Sequence, residues 1–410
     1  MKVLHITSAN RNSGAGSAAL NIQQKQREMG IDSEILFLKE EEDFDKGIYS
    51  YVNSFFIRIR QFIFSFLDRS LTKRYKNRKN ELFSASMYGL GIYSHKLVKR
   101  ADIIHLHWIN HAFLSIQDIA KLNKFIVITM HDMWHFTGGC HQSYDCDLYK
   151  QFCGTCPTLG SSDSKDLSYK VIHEKNKHLS NVAIVYVAIS TWMKDMANES
   201  YFLRNKVSEI VYSGINSNIF FYSGSKDKYR AELGLPQSRK IILTGAGDIY
   251  HPAKGGAYLI ETLRTLESDV LVLNFGSGNL KREQLDKDVI NLGFVEDKIQ
   301  LAKYYQAADV FLSTSVAEAF GMTLAEAQCC GTPVVGFYKG GPIDIVENGK
   351  SGYLAEFKNM QELNKCLEKA LVHSFDHVQI SKDAVKKFSL SYTAAKYVDI
   401  YKRWKKTAIQ

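Results

Sequence analysis

The sequence has 410 residues, of which 45% are hydrophobic and 23% charged, so it is long enough for two or three globular domains and too apolar for a disordered chain. Charges interrupt every apolar run before the ~18 residues that a transmembrane helix needs, and the first ten residues lack the apolar core of a signal peptide. The formal net charge is +9, and residues 51–100 hold eleven Lys and Arg against two acidic residues. We therefore expect a cytoplasmic protein with one strongly basic segment.

The N-terminal half alternates apolar runs of strand length with polar, helix-forming runs. Residues 2–7 predict a buried strand, which is followed by a loop with Gly14 and Gly16 and by a helix over 17–30. Further strands are predicted at 33–38, 101–108, 125–131 and 182–190. A strand, a glycine-containing turn, a helix and a second strand in succession are typical of a doubly wound parallel sheet.

The same alternation starts again after about residue 212. Strands are predicted at 240–248, 269–278, 289–294, 308–315 and 332–337, with helical runs between them. The fold class is therefore α/β, with two Rossmann-like doubly wound domains at 1–212 and 213–390 and a C-terminal helix over 391–410 that packs back on the first domain. Ligands of such sheets bind beyond the carboxyl ends of the strands, so a cleft between the domains is the expected substrate site.

Two carboxylates lie in the loop and helix that follow the predicted strand 308–315. Glu318 falls in the loop, and Glu326 falls on the first turn of a helix that should begin near Thr323 and stop at Gly331. A helix that starts at this end of a strand presents free backbone amides, which suit a phosphate. Without a ligand, Glu326 would form a capping box with Thr323, and Glu318 would be a solvated loop residue.

The run from Glu318 through Gly321 to Glu326, followed by Gly331–Val335, resembles the donor-binding signature of the retaining glycosyltransferases of family 4, which have the GT-B fold. The resemblance covers most of residues 240–354 in order. Other matching positions are Lys254, Gly255, Gly276, Gly278, Gly293, Gly340 and Gly341. It implies a hexosyltransferase that moves a sugar from a nucleotide diphosphate to an acceptor hydroxyl with retention and without a divalent metal or other catalytic cofactor. The departing phosphate oxygen would take the acceptor proton.

The resemblance also implies roles for individual residues. Glu318 would accept hydrogen bonds from the donor sugar and Glu326 from the ribose, because a carboxylate offers two acceptor oxygens to a diol. Lys254 would bind the diphosphate. The family usually has an Arg shortly before this lysine, which is absent here, so either another cation such as His251 substitutes for it or the diphosphate is bound more weakly. Further implied donor contacts are Gly14, Gly16, Gly255, Gly293, Phe320, Gly321, Met322 and Thr323.

Two histidines of the N-terminal half are candidates for the active site. His131 ends the predicted strand 125–131 and resembles the family's active-site histidine, whereas His107 is a candidate for the acceptor side. The alternative for a lone histidine is a buried structural residue. Gly14 and Gly16 also fit a dinucleotide-binding pattern, but Gly14 lies seven positions after the last residue of the preceding strand, which disfavours a nicotinamide or flavin enzyme.

Four cysteines fall within seventeen residues, at Cys140, Cys146, Cys153 and Cys156. In a cytoplasmic chain this spacing predicts a structural zinc ion held by four thiolates. A redox pair or disulfides, and free thiols, are the alternatives.

The basic segment contains a predicted amphipathic helix. Its apolar residues recur at helical spacing, at Phe55, Ile59, Phe62, Ile63 and Phe66. Such a helix could lie on the anionic inner face of a membrane, or it could pack its apolar stripe on the sheet. Nucleic acid is not an expected partner, because no known binding motif accompanies the charge.

Three functions remain open at this point. The first is a retaining glycosyltransferase that acts on a glycan or lipid-linked acceptor, as in surface polysaccharide synthesis. The second is a nucleotide-sugar 2-epimerase of the same fold. The third is a non-catalytic scaffold that binds sugar or membrane, for which the missing arginine is the best argument.

Overall fold

The computed structural model describes residues 1–407 and, for 405–407, the helical backbone alone. The chain divides into two compact units, of which the first is Met1–Val211 with the segment from Thr393 onward and the second is Tyr212–Tyr392. Residues 408–410, which the sequence analysis placed in the C-terminal helix, lie outside the described part. Each unit is built on its own sheet.

The first unit has a seven-stranded sheet in the order β3-β2-β1-β4-β5-β6-β7, and all its pairings are parallel. The strands are β1 (Lys2–Thr7), β2 (Asp32–Phe37), β3 (Ile48–Ser50), β4 (Ile103–Leu106), β5 (Phe125–Met130), β6 (Ile184–Ala188) and β7 (Glu209–Ile210). The helices are α1 (Gly14–Glu28), α2 (Phe55–Lys73), α3 (Lys96–Arg100), α4 (Ile116–Ala120), α5 (Leu167–Leu179) and α6 (Thr191–Glu199). The central strands are almost wholly buried, which is why they are continuous apolar runs.

The second unit has a six-stranded parallel sheet in the order β10-β9-β8-β11-β12-β13. The strands are β8 (Lys240–Asp248), β9 (Val270–Ser277), β10 (Asp288–Gly293), β11 (Val310–Leu312), β12 (Val334–Phe337) and β13 (Gly352–Ala355). The helices are α7 (Lys226–Glu232), α8 (Gly256–Thr265), α9 (Arg282–Leu285), α10 (Lys298–Ala307), α11 (Met322–Cys329), α12 (Pro342–Ile345), α13 (Met360–Val372) and α14 (His377–Phe388). A last helix, α15 (Leu390–Thr407), ends the described chain.

These sheets confirm the predicted fold class of two Rossmann-like α/β domains. In each sheet the strand order reverses direction once, at β1/β4 in the first unit and at β8/β11 in the second. Strands β3, β7 and β13 were not predicted, because they are two to four residues long and too short to produce a clear apolar period.

Helix α2 buries its polar face and exposes its apolar stripe, which is the reverse of a helix that packs this stripe on the sheet. Its buried residues are polar. Ser65 donates a hydrogen bond to the carbonyl of His111, and Asp68 accepts hydrogen bonds from the backbone amides of Ser86 and Met87. The apolar stripe is exposed, at Phe55, Phe56, Ile59, Phe62, Ile63 and Phe66. The expectation that this stripe packs on the sheet was therefore wrong, since buried carboxylate and hydroxyl partners hold the polar face inward.

Candidate functional site

The predicted donor residues of the second unit follow the two strands at which its sheet reverses. Strands β8 and β11 are adjacent in space although β9 and β10 lie between them in sequence. Lys254 belongs to a short 3-10 turn (Pro252–Lys254) after β8, and Glu318 lies in the loop after β11. Loops at such a reversal are where doubly wound sheets bind ligands.

Lys254 and Glu318 form an ion pair, with 2.6 Å between Nζ and Oε2. Both side chains are partly exposed, at 30% and 17%, so the pair is reachable by a ligand. The two loops are joined by backbone bonds, because the amides of Val316 and Ala317 both donate to the carbonyl of Ala253. Backbone contacts thus hold the lysine and the carboxylate together.

Two glycines give the Glu318 loop its shape. Gly321 precedes α11 with a φ of 105°, a conformation that favours glycine. Gly340 packs on the other side, where a Cβ atom would lie 2.3 Å from the carbonyl oxygen of Glu318. Helix α11 therefore begins at Met322, one residue earlier than expected, and its first amides, including those of Met322 and Thr323, have no preceding helical carbonyl to bond.

Glu326 is a buried carboxyl and not part of a capping box. Its side chain is 9% exposed and accepts a hydrogen bond of 3.1 Å from the hydroxyl of Tyr305. No side-chain cap bond is present at the start of α11, so the capping alternative with Thr323 was wrong. Burial raises the pKa of Glu326 to about 7, although Lys298 and the Tyr305 hydroxyl act to lower it.

Of the remaining predicted donor residues of the second unit, Gly255 and Phe320 belong to these loops, whereas Gly293 lies on the edge strand β10. Gly255 follows Lys254 and precedes α8, while Gly293 ends β10. Phe320 is buried and stacks with Tyr212 at a centroid distance of 6.0 Å. His251, considered as a substitute for the missing arginine, accepts a hydrogen bond at Nδ1 from the amide of Ala253 and so caps the 3-10 turn.

In the first unit, His131 directly follows β5 and is partly buried. Its Nε2 lies 3.0 Å from Nδ1 of His107, which is fully buried just after β4. The structure therefore places the two candidate histidines in direct contact. Burial lowers the pKa of His131 to about 4, against the opposing charge of Asp132. Gly14 and Gly16 lie in the first turn of α1 rather than in a loop, with the Ser13 side chain capping the helix.

A hydrogen-bonded cluster of polar side chains beside His131 was not predicted from the sequence. The carboxylate of Asp132 lies 2.6 Å from Nδ1 of His141 and accepts a 2.8 Å hydrogen bond from the indole of Trp108. Burial acts to raise the pKa of Asp132, but His141 and the Trp134 amide lower it to about 2. The one available signal was that Asp132 follows a strand directly, next to His131.

The four clustered cysteines line one small cavity of about 20 Å³ in the first unit. All are free thiols in the structure. Burial raises the pKa of the Cys153 and Cys156 thiols, against the backbone amides of Gly138 near Cys153 and of Thr158 and Leu159 near Cys156, which act to lower it.

A second candidate for metal binding lies in the sheet of the first unit. Across residues 1–407, the side chains of His5, His105 and His107 are the one set of three metal-capable groups whose ligand atoms lie within 4.8 Å of one another. None of the clustered cysteines belongs to such a set. Each of the six ring nitrogens of the three histidines already has a hydrogen-bond partner.

The chain is similar to known glycosyltransferases. Residues 225–387, which fall in the second unit, match the family model of glycosyl transferases group 1. An uncharacterized glycosyltransferase of Methanocaldococcus jannaschii is 27% identical over 330 residues, which cover 73% of this chain and 82% of the relative. A D-inositol 3-phosphate glycosyltransferase of Streptosporangium roseum is 31% identical over 215 residues, 47% of this chain and 49% of the relative. The chain thus spans about half the length of that second relative.

A solved structure is similar over nearly the whole chain. The crystal structure of Anabaena HepE in complex with UDP-glucose has a TM-score of 0.64 with 17% identity, and the alignment covers 98% of this chain and all of that one. At this identity the likeness shows the fold alone. The second unit is therefore similar in sequence to the group 1 glycosyltransferases, and the sheets and the solved neighbour show a GT-B fold.

Proposed function

We propose that this protein is a retaining glycosyltransferase that transfers a sugar from a nucleoside diphosphate sugar to an acceptor hydroxyl. The observation that carries the proposal is the Lys254–Glu318 pair at the strand reversal of the second unit, inside the residues that match the group 1 family. The names of the similar proteins support it, since HepE was solved with UDP-glucose and a relative is named for D-inositol 3-phosphate.

In the proposed complex, Lys254 exchanges its carboxylate partner for diphosphate oxygens. Glu318 is then free to accept hydrogen bonds from the hydroxyls of the sugar. The amides of Met322 and Thr323 at the start of α11 add donors to the diphosphate and compensate for the missing arginine. Glu326 accepts from the ribose hydroxyls.

The reaction breaks the bond between the anomeric carbon and the diphosphate oxygen and forms the bond to the acceptor oxygen on the same face. The acceptor proton passes to the departing diphosphate oxygen, so no side-chain base is needed. The protein contributes positioning and charge stabilisation of the leaving group.

The first test is a thermal-shift screen of nucleoside diphosphate sugars. A true donor at 100 times its Kd stabilises the protein by about 2.7 kcal/mol, whereas the matching sugar without the nucleotide should have little effect. The stabilising donor is then incubated alone and with acceptors. A transferred sugar of unchanged anomeric configuration supports the proposal, an inverted linkage contradicts retention, and an epimerised donor sugar without acceptor would identify a 2-epimerase.

We further propose that the acceptor is lipid-linked and that α2 rests on an anionic membrane surface. Its apolar side chains are among the most exposed of the protein, with Phe56 at 82% and Phe62 at 70%. Exposed cations flank this stripe, at Arg58, Arg60, Arg69, Lys73 and Arg74. An apolar stripe bordered by cations fits an anionic leaflet, where aromatic side chains enter the headgroup boundary and cations meet phosphates. No helix among residues 1–407 is long and apolar enough to cross a membrane.

The cysteine cavity is proposed to hold one structural zinc ion. A cavity of about 20 Å³ lined by all four cysteines admits a single water-sized body, and the backbone amides near Cys153 and Cys156 would favour their thiolate forms. The buried Lys175 lies near Cys140 and Cys153 and would offset part of the negative charge of a tetrathiolate site. Cys140, Cys146, Cys153 and Cys156 would hold the ion as thiolates, and the ion would fix the loop that carries them.

A further inference from the structure

A line of three imidazole rings runs from His131 into the core of the first unit. Nε2 of His131 lies 3.0 Å from Nδ1 of His107, and Nε2 of His107 lies 2.9 Å from Nδ1 of His5. The line ends on an amide, because Nε2 of His5 lies 2.9 Å from Oε1 of Gln26 on α1. His5, His107 and Gln26 are all fully buried. A single side chain on α1 thus ends the hydrogen-bonded line that begins at His131.

Gln26 is also the junction to a second branch. Its Nε2 donates to the hydroxyl of Tyr401, which lies 2.6 Å from Nδ1 of His105. Nε2 of His105 lies 2.7 Å from the hydroxyl of Thr129, which in turn contacts Tyr397 at 2.7 Å. No carboxylate takes part in either branch, so every link joins neutral groups.

Each buried ring of the line carries a single N–H proton. Burial lowers the pKa of His5 to about 4 and that of His107 well below its usual range, so both are neutral at physiological pH. A neutral imidazole has one N–H donor and one bare nitrogen acceptor. A row of such rings can therefore point all its protons one way or all the other way, and the group at its end decides which.

The orientation of the Gln26 amide determines the direction in which the N–H groups of the line point. Its Oε1 can only accept, and it accepts from Nε2 of His5 and from the hydroxyl of Ser33. His5 must then carry its proton on Nε2 and present a bare Nδ1, which accepts from Nε2 of His107. By the same step, the bare Nδ1 of His107 accepts from Nε2 of His131.

We propose that Gln26 is a positioning residue which, through His5 and His107, holds His131 as the Nε2–H tautomer and leaves its Nδ1 as a hydrogen-bond acceptor. The consequence for activity rests on the proposed function, with His131 as the active-site histidine that the family resemblance implies. A bare Nδ1 accepts a hydrogen bond from a sugar hydroxyl, whereas an Nδ1–H cannot. The reversed amide would invert all three rings, so α1 controls the chemistry of a residue that it does not touch.

The test reads the tautomer directly by long-range ¹H–¹⁵N NMR on protein labelled at histidine nitrogens. The His131 signals are assigned as those lost in His131→Asn. In the unliganded wild type we expect His131 to be protonated at Nε2, and protonation at Nδ1 would overturn the proposal without any variant at Gln26. This measurement needs no donor, so its failure is distinct from failure of the proposed function.

The variant Gln26→Leu removes both hydrogen-bonding atoms of the amide. His131 should then become a mixture of the two tautomers, and, if the proposed function holds, kcat should fall about tenfold with little change in the KM of the donor. The matched control is Gln23→Leu, one turn earlier on α1, which removes an equally buried amide bonded only to backbone carbonyls. An unchanged His131 tautomer in Gln26→Leu, or the same change in Gln23→Leu, would contradict the proposal. Should Gln26→Leu not fold, the wild-type spectrum decides.

Discussion

Nζ of Lys254 lies 2.6 Å from Oε2 of Glu318, so the cation predicted to hold the diphosphate is paired with the carboxylate predicted to hold the sugar. The pair neutralises the two partly exposed charges in the absence of a ligand. A donor that supplies both an anion and hydroxyls offers each of them a new partner. Donor binding would therefore exchange one internal ion pair for two contacts with the ligand.

This exchange predicts different effects for the two partners. Lys254→Met should weaken binding of a free nucleoside diphosphate at least tenfold, because a charge-assisted contact is lost. Glu318→Gln should keep or tighten that binding, since the lysine no longer has a competing carboxylate, yet it should lower sugar transfer about 100-fold. Calorimetric binding of the diphosphate and a transfer assay measure the two effects.

The exposed pair of Glu347 and Lys350 in the same unit provides the matched control. Glu347→Gln and Lys350→Met remove one charge each, as the site variants do, and should leave both binding and transfer unchanged. Equal loss in the site and control variants would point to charge or folding effects and against the assigned roles.

Gly340→Ala should destabilise the protein by more than the cost of the left-handed backbone conformation alone, because the added Cβ would also displace the Glu318 loop. Gly340 has a φ of 74°, and a Cβ would lie 2.3 Å from the carbonyl oxygen of Glu318. Gly349 is the matched control, because it has a φ of 80° with nothing within 4 Å of an added Cβ. Gly349→Ala should cost only the ~1 kcal/mol of left-handed strain, while Gly340→Ala should cost more in urea unfolding and also weaken donor binding.

The buried carboxyl of Glu326 predicts a pH-dependent stability. Its pKa is raised from 4.5 to about 7 in the folded protein, so the folded state holds a proton that the unfolded state releases above about pH 4.5. This contribution is fully present below that pH and is lost as the pH rises to about 7, an effect of about 3 kcal/mol at most. Glu326→Gln should flatten the curve of unfolding free energy over this range, and a slope equal to that of the wild type would contradict the buried state.

The exposed stripe of α2 predicts binding to anionic vesicles. Full-length protein should sediment with vesicles of phosphatidylglycerol and phosphatidylcholine and not with phosphatidylcholine alone, and salt should weaken the binding. Phe56→Ser and Phe62→Ser should each reduce binding about tenfold, because each removes an apolar ring worth ~1.5 kcal/mol or more. Phe294→Ser, at a phenylalanine of the second unit that is 69% exposed, is the control. Equal binding of all variants would exclude α2 as the docking surface.

The cysteine cavity predicts about one zinc ion per chain. Elemental analysis of protein purified without added metal should find it, and the double variant Cys153→Ser with Cys156→Ser should lose it and unfold at a lower temperature. Cys366→Ser, at a half-buried thiol of α13, should retain the metal. Metal-free protein in which all seven thiols titrate after unfolding would establish free cysteines. An intact mass lower by two hydrogens for each oxidised pair would establish disulfides.

The order of strands and helices could be predicted from sequence because the sheets are parallel and buried. Strand β1 was predicted with its observed bounds, and β5 within one residue, since burial on both faces requires continuous apolar runs. Glu318, Glu326 and Lys254 stood out by their motif and by their positions after strands. Their biochemical roles, like that of His131, stay predictions until the donor is found.

Other features needed the tertiary structure because they join residues far apart in sequence. The helical period of α2 revealed two faces, but only the partners of Ser65 and Asp68 showed which face is buried. The histidine line requires β1, β4 and α1 to bring His5, His107 and Gln26 together. The sequence by itself determined the fold class and the candidate donor motif, because both depend on local pattern. Only the tertiary structure revealed the Lys254–Glu318 pair, the exposed aromatic stripe and the histidine line. Each of them depends on contacts across the sheet or between loops.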